Sequence, residues 1–283
     1  MNKLLTLGCV AAVFTAISCQ KEADTAHTAP ATGKLVPVTV EATVPETRVT
    51  LSTGGNLPAW TQGDKIGIFT ADQVLCPPFT AKTGGSASTT FSGQKPEYSH
   101  LTTAFFPYDA NATLGAAGIG LTLPRSQSGR IADAVMVGTG NENDGFTFRN
   151  VCSVLRMQIP AGLDIRKVEV VRDDRVTGPF QVDANLNITS SDPTSYLEKR
   201  AEVAGTSALS GEILLSVLPS TSKTLQMALT RSDGKVAFVN TTFSSGKGFE
   251  AGRIKNLGQA GASLTFYDAA LVADPTNQQL CAL

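Results

Sequence analysis

The fold class is decided by one alternating stretch, residues 36–44, which reads Val36-Pro37-Val38-Thr39-Val40-Glu41-Ala42-Thr43-Val44. Every second side chain is apolar without a break, and these residues are Val36, Val38, Val40, Ala42 and Val44. A period of two is the signature of a half-buried β-strand. Pro37 lies near the start, which favours an edge strand or a strand beginning because proline has no N–H to donate.

The rest of the chain consists of short strand-like runs divided by Gly, Pro and polar turn residues. The runs are residues 65–69, 104–107, 151–159, 167–171, 211–218, 224–230 and 235–240. Ser232-Asp233-Gly234-Lys235 separates the last two and predicts a hairpin turn. Residues 195–203 could form one short helix. The pattern predicts an all-β chain, mainly β-strand, with two β-sandwich domains divided near residues 145–150. The polar, Gly-containing stretch that precedes this boundary, residues 138–145, could equally be a hairpin loop.

Composition argues against several functions. The chain has 283 residues, with 23 Lys and Arg against 24 Asp and Glu, so its net charge is −1. This balance lacks the basic field typical of nucleic-acid binding, and we predict no nucleic-acid partner. Two His, and Cys residues without metal-ligand spacing, predict neither a metal site nor another cofactor.

Three motifs with apparent chemistry favour structural interpretations. Ser220 and Lys223 match the SxxK of serine acyl-transfer enzymes, but Ser220 follows Pro219 at a strand end instead of opening a helix, and we predict that the chain is not an enzyme. Residues 183–187 begin like a calcium loop, but the sixth position is Ile188 instead of Gly, so a turn is predicted. Trp60, the single Trp, is interpreted as a core anchor rather than a sugar-stacking aromatic.

The first 18 residues have the pattern of a signal peptide. Lys3 precedes an apolar stretch, residues 4–17, which is shorter than the about 20 residues that a membrane span needs. Ala16-Ile17-Ser18-Cys19 resembles a bacterial lipobox, which predicts cleavage before Cys19 and a diacylglycerol on its thiol. Residues 19–34 follow as an Ala/Thr/Pro-rich tether. The residues after Cys19, Gln20-Lys21-Glu22-Ala23-Asp24, are similar to the Lys-plus-acidic tag that sends Bacteroidetes lipoproteins to the outer face. This resemblance implies an outer membrane lipoprotein at the cell surface; an ordinary secretory signal is the alternative.

Three cysteines lie beyond Cys19, namely Cys76, Cys152 and Cys281. Their odd number and wide spacing assign no disulfide, and buried free thiols are the preferred interpretation.

Several motifs in one order resemble the Bacteroidales fimbrillin family of lipoprotein pilins. The lipobox Cys19 and its Lys-plus-acidic tag lead into the alternating strand. The later motifs are Pro45-Glu46-Thr47-Arg48, Trp60-Thr61-Gln62-Gly63-Asp64-Lys65-Ile66-Gly67-Ile68, Leu123-Pro124-Arg125-Ser126-Gln127, Phe148-Arg149-Asn150-Val151-Cys152-Ser153-Val154-Leu155-Arg156-Met157 and Ala251-Gly252-Arg253-Ile254. The resemblance covers residues 1 to about 258.

The resemblance implies two transthyretin-like β-sandwich domains in tandem, residues 35–147 and 148–258, followed by a tail, 259–283. It also implies assembly into surface fimbriae that serve adhesion and biofilm formation. In the family, an Arg-specific protease cuts after the first strand, that strand leaves, and a strand of another subunit replaces it. The matching parts here are the leaving strand, residues 36–44, and Arg48 as the cleavage site. An ordinary solvated loop arginine is an equal alternative for Arg48.

The tail holds a candidate donor strand, whose apolar residues of one parity are Leu264, Phe266, Ala270 and Val272, interrupted by Asp268. It could also be the last strand of the second sandwich. The partners implied are other fimbrial subunits in a homo- or hetero-polymer, the outer membrane through Cys19, an Arg-specific protease, and host or bacterial surface ligands. The alternative function is a surface lipoprotein that binds glycans beside a polysaccharide-uptake system.

Overall fold

The computed structural model describes residues 33–44, 59–130, 134–190, 193–243, 248–260 and 264–268. All of them belong to one compact unit, Ala31–Leu283. The strands are β1 (Leu35–Thr43), β2 (Lys65–Thr70), β3 (Phe79–Ala81), β4 (Ser88–Pro96), β5 (Leu101–Phe106), β6 (Thr113–Gly115), β7 (Gly118–Leu123), β8 (Ser126–Gln127), β9 (Met136–Asn141), β10 (Gly145–Asn150), β11 (Ser153–Ile159), β12 (Ile165–Val171), β13 (Gly178–Val182), β14 (Ile188–Thr189), β15 (Arg200–Leu209), β16 (Gly211–Val217), β17 (Thr224–Arg231), β18 (Val236–Thr242) and β19 (Ile254–Gln259). The prediction of an all-β chain is confirmed.

The N-terminal strands close into one continuous sheet, in the order β1-β10-β9-β5-β2-β3-β4. Each strand turns every second side chain inward, so the sheet encloses its own core. That core is rich in aromatic rings, and the buried ones are Trp60, Phe79, Phe91, Phe106, Phe146 and Phe148. Because the sheet closes on itself, β1 has a neighbour on each side, β4 and β10.

The C-terminal strands form two sheets that share a second core. One has five strands, β18-β17-β12-β15-β8, and the other has three, β16-β11-β19. Their alternating apolar residues pack together, and the largest buried group includes Leu155, Met157, Val168, Val170, Leu215 and Leu229. β8 joins this half from the N-terminal side, pairing Ser126 with Glu202.

A small sheet, β14-β13-β7-β6, combines strands from both halves of the sequence. β7 pairs with β13 from Gly178 opposite Leu123 to Val182 opposite Ile119. The predicted domain boundary at residues 147 and 148 falls within β10, which hydrogen-bonds in the closed N-terminal sheet. The division into two tandem sandwich domains stays a prediction.

Two local expectations have clear outcomes. The hairpin at residues 232–235 is confirmed: Arg231 and Lys235 face each other across the turn, and Gly234 adopts a φ of 81°, which suits glycine. The short helix over residues 195–203 is wrong, because only Tyr196–Lys199 forms one 3-10 turn. Arg200 already begins β15, which pairs with β12 and buries Ala201 and Val203 on alternate positions. Within the described ranges, no helix is long and apolar enough to cross a membrane.

Candidate functional site: the groove of the first strand

The inner face of β1 carries the residues that the sequence pattern selected. Val40, Ala42 and the following Val44 are 1%, 0% and 3% exposed. Val36 and Val38 point the same way and are half-buried. The apolar residues of the alternating pattern are therefore the buried ones, and their burial increases from the start of β1 towards its end.

The backbone of β1 is held mainly by β4. The two strands pair over nine residues, from Leu35 opposite Pro96 to Thr43 opposite Ser88. β10 runs parallel to β1 on the other side and pairs only at the last two residues, Ala42 and Thr43. The first part of β1 is therefore hydrogen-bonded to strand neighbours on one side only.

The hydrogen bonds flanking β1 explain how Pro37 is tolerated. Lys34 accepts from the Glu97 N–H at 3.1 Å, and the Val44 N–H donates to Ala87 at 2.8 Å. In an antiparallel pair the bonding residues alternate, so even-numbered residues of β1 bond to β4 and odd-numbered ones face away. Pro37 is odd-numbered, and its missing N–H removes no bond to β4.

Trp60 is a core residue of the groove. It is 2% exposed and makes edge-to-face contacts with Phe91, Phe106 and Phe148 at centroid distances of 5.0, 5.4 and 5.2 Å. Its indole Nε1–H donates to the carbonyl oxygen of Ala42 at 3.0 Å. The interpretation of Trp60 as a core anchor is confirmed, and the indole ties the β1 backbone to the core.

A glycine on β4 makes room for one of these rings. Gly93 lies opposite Val38, and a Cβ built on it would lie 2.6 Å from the nearest atom of the Phe79 ring. Real Cβ atoms do not approach a ring this closely, so the Phe79 ring occupies the space that a side chain at Gly93 would take.

A charged cluster that the sequence analysis missed lies at the Val36 end of the groove. Lys95, opposite Val36, places its Nζ 2.6 Å from Oε2 of Glu142, in the β9–β10 turn, and 2.7 Å from the Ser99 carbonyl oxygen. The other Glu142 oxygen lies 3.2 Å from Nδ1 of His100. Burial raises the pKa of Glu142, but hydrogen bonds from Lys95 and His100 outweigh it and hold that pKa below its usual value.

The Lys95 side chain lies on the inner side of the sheet. Lys95 shares its strand parity with Phe91 and Gly93, and only 13% of its side chain is exposed. Burial raises the pKa of the Cys76 thiol to about 11, and the Lys95 charge is near enough to oppose that rise. The signal in the sequence was the alternation of Phe91, Gly93 and Lys95, which puts a lysine in line with core positions.

The described part of the tail packs on the C-terminal core. Leu264 and Phe266 contact that core, and the Arg231 guanidinium lies 5.2 Å from the Phe266 ring centroid. Tyr267 exchanges two backbone hydrogen bonds with Val236 at the edge of β18, at 2.8 and 3.0 Å. Ala270 and Val272 lie outside the described residues, and the donor role of residues 264–272 stays a prediction.

The other predicted site residues divide into described and undescribed ones. Cys19, Arg48 and Cys281 lie outside the described residues, so the lipid and cleavage sites stay predictions. Cys76 and Cys152 are free and buried, in agreement with the interpretation of these cysteines as buried free thiols. Burial raises the pKa of Cys152 to about 12.

The motifs with apparent chemistry have structural roles. The Asp183 carboxylate accepts hydrogen bonds from the backbone N–H groups of Asn185 and Asn187, both at 2.8 Å, so the predicted turn is confirmed. The Ser220 hydroxyl donates to Asp174 and accepts from the Ser222 N–H. Within the residues described, no group of three or more His, Cys, Asp or Glu could hold a metal ion.

No protein-family model and no curated protein matches this chain. Solved structures with a similar fold include a candidate cell adhesion protein from Bacteroides uniformis, which is 17% identical in sequence. Its TM-score is 0.48, and the match covers 82% of this chain and 97% of that one. A candidate cell adhesion protein from Bacteroides ovatus has 12% identity, a TM-score of 0.49 and coverages of 83% and 96%.

The tip fimbrial protein Mfa3 from Porphyromonas gingivalis, with a C-terminal truncation, is similar at 10% identity and a TM-score of 0.35, covering 83% of this chain and 98% of that one. The first two of these structures are candidate cell adhesion proteins, and the third is a fimbrial tip protein. Because the TM-scores lie below 0.5, this likeness assigns no function to the chain.

Proposed function

We propose that this chain is a structural subunit of cell-surface fimbriae that assembles by protease-triggered strand exchange and contributes to adhesion and biofilm formation. In this proposal Cys19 carries the lipid that anchors the precursor to the outer membrane. An Arg-specific protease cuts after Arg48, β1 leaves, and a strand of another subunit enters the groove. The chain acts by assembly and has no catalytic role.

The observation that carries the proposal is the position of β1. It is the first strand of the described chain, yet it supplies inner-face residues to the closed sheet between β4 and β10. Arg48 follows Val44 by four residues in the sequence. A cut after Arg48 therefore leaves β1 held to the rest of the chain by non-covalent contacts alone.

Those contacts are strong enough to keep β1 in place and to select a replacement. Burying a valine side chain contributes about 1.5–3 kcal/mol, and β1 together with the following Val44 has two almost fully buried valines, two half-buried ones and one buried alanine. Once β1 leaves, the apolar groove and the unpaired edge of β4 favour addition of another strand. The ordering of both partners offsets part of this gain.

The alternative function, glycan binding, would use the single Trp of the chain as a sugar-stacking residue. Trp60 is 2% exposed and its N–H is bound to Ala42, so its ring is not available to stack on a sugar.

The test is limited trypsin digestion of the chain lacking residues 1–19, with an Arg48→Gln variant as the matched control. We expect an early cut after Arg48, release of the β1 fragment, a red shift of the Trp60 emission, and growth of SDS-resistant oligomers on size-exclusion chromatography. The variant should resist this cut and stay monomeric. A cut followed by loss of β1 without any oligomer would contradict polymerisation, and an intact monomer with an uncut Arg48 would contradict exchange at this site.

A further inference from the structure

The floor of the β1 groove has four levels on the β4 side. Here a level is an inward-facing residue of β1 together with its partner on β4. The levels pair Ala42 with Thr89, Val40 with Phe91, Val38 with Gly93 and Val36 with Lys95.

Three of these levels suit apolar side chains. At the Val40 level, Phe91 is fully buried. At the Val38 level, the Phe79 ring fills the space over Gly93. At the Ala42 level, the Thr89 hydroxyl is engaged by Thr83, which lies 2.8 Å away, so this level leaves no unpaired hydroxyl facing the groove.

The fourth level is charged. Lys95 comes from β4 and Glu142 from the turn that precedes β10, so their ion pair connects the two neighbours of β1. Because Lys95 is on the inner side of the sheet, this pair forms the floor at the Val36 level. A polar side chain at that level finds hydrogen-bonding groups, whereas one at the Val40 level finds a phenyl ring.

We propose that the Lys95–Glu142 pair determines the register, and thereby the sequence, of the strand that enters this groove from a second fimbrial subunit. The preferred strand has apolar side chains at the levels of Val38, Val40 and Ala42 and a polar side chain at the level of Val36. This inference rests on the proposed function, because it names the strand that replaces β1.

The physical basis is the cost of a wrong register. A slip by two residues moves the polar side chain over an apolar floor, where a hydroxyl or charge has no partner. A slip by one residue turns the whole apolar set to solvent.

The first experiment measures β1 in its own groove and needs no exchange. In the full-length chain in detergent, Val36→Thr and Val40→Thr make the same nearly isosteric change at two levels. We expect Val40→Thr to raise the unfolding equilibrium constant by about tenfold or more, because its buried hydroxyl has no hydrogen-bond partner at the Phe91 level. Val36→Thr should change it by less than about twofold. Equal effects of the two substitutions would overturn the two-zone floor, meaning a floor with three apolar levels and one charged level.

The charge of the floor is tested by coupling two substitutions. Val36→Asp brings a carboxylate towards Lys95, whose ammonium already pairs with Glu142. With Glu142→Gln in place, Lys95 is free to pair with the new carboxylate. We expect Val36→Asp to be less harmful in the Glu142→Gln chain than in the wild type, by about fivefold or more in the unfolding constant. Additive effects would overturn the role of the ion pair.

The third experiment tests the partner. Labelled peptides of residues 35–44 are offered to the full-length chain after cleavage at Arg48. The Val36→Thr peptide should be captured at least as well as the wild-type peptide, and the Val40→Thr peptide at least about tenfold less. Capture of all three alike would overturn register selection while leaving strand exchange intact. Capture of no peptide would overturn strand exchange and the partner named here, even if the unfolding data support the two-zone floor.

Discussion

Replacing Val40 by Ala tests whether β1 is part of the hydrophobic core. Val40 is 1% exposed and faces Phe91 across the β1–β4 pair. The change removes two methyl groups, worth about 0.8 kcal/mol each, and leaves a cavity that rigid neighbours fill only in part. We therefore expect the free energy of unfolding to fall by about 1.5–3 kcal/mol.

The assay is urea unfolding followed by far-UV circular dichroism and by Trp60 emission. Trp60 is the only Trp, and its N–H binds the Ala42 carbonyl, so its emission reports on the surroundings of β1. The matched control is Thr39→Ala on the outer face of the same strand. Thr39 is exposed, and its hydroxyl contact with Ser92 at 3.3 Å is exposed too, so its loss should change the free energy by less than about 0.5 kcal/mol.

A difference of less than about 0.5 kcal/mol between Val40→Ala and Thr39→Ala would refute the reasoning. It would mean that the inner face of β1 adds little to the core and that departure of β1 needs no trigger. A loss seen by Trp60 emission but not by circular dichroism would locate the damage in the groove alone.

Three further changes have defined outcomes. Gly93→Ala should lower the free energy of unfolding by about 1–3 kcal/mol, because the new methyl group overlaps the Phe79 ring. Burial raises the pKa of the Cys152 thiol to about 12. We therefore expect this thiol to resist iodoacetamide at pH 8 in the native chain and to react in urea, as measured by peptide mass spectrometry. Hydrogen bonding to Lys95 lowers the pKa of Glu142, so the Glu142 carboxylate should stabilise the chain at pH values above the ordinary carboxyl pKa. This stabilisation should be lost as the pH falls through the lowered pKa of Glu142. The difference in unfolding free energy between the wild type and Glu142→Gln should therefore shrink at acidic pH.

Each of these changes has its own control and contradicting result. Ser92→Ala, beside Gly93 but on the outer face, should be nearly neutral, and an equally neutral Gly93→Ala would contradict the tight contact with Phe79. Native labelling of Cys152 as fast as in urea would show that its thiol is not enclosed. A Glu142→Gln difference that stays constant from pH 7 to pH 3 would mean that the carboxylate charge stabilises nothing.

The local features of the chain were predictable because they depend on near neighbours in sequence. The alternation of Val36 to Val44 predicts β1 and the side chains that it buries, since a strand turns every second residue to the same face. The hairpin at residues 232–235 follows from turn chemistry in the same way. The helix expected over residues 195–203 failed because long-range pairing with β12 competes with local propensity.

Only part of the candidate site could be predicted from the sequence. The inner-face residues of β1 and the core role of Trp60 could be read from pattern and composition. Lys95 and Glu142 lie 47 positions apart, and no local pattern connects them. Their contact exists because β4 and the β9–β10 turn flank the same strand.

By itself the sequence determined the strand class and the burial parity of β1, because periodicity is encoded within a few residues. Tertiary structure alone decided that the N-terminal sheet closes on itself, that β1 lies between β4 and β10, and that the groove ends in an ion pair. The physical reason is that sheet order and register are set by the joint burial of side chains from distant strands. No single segment contains that information.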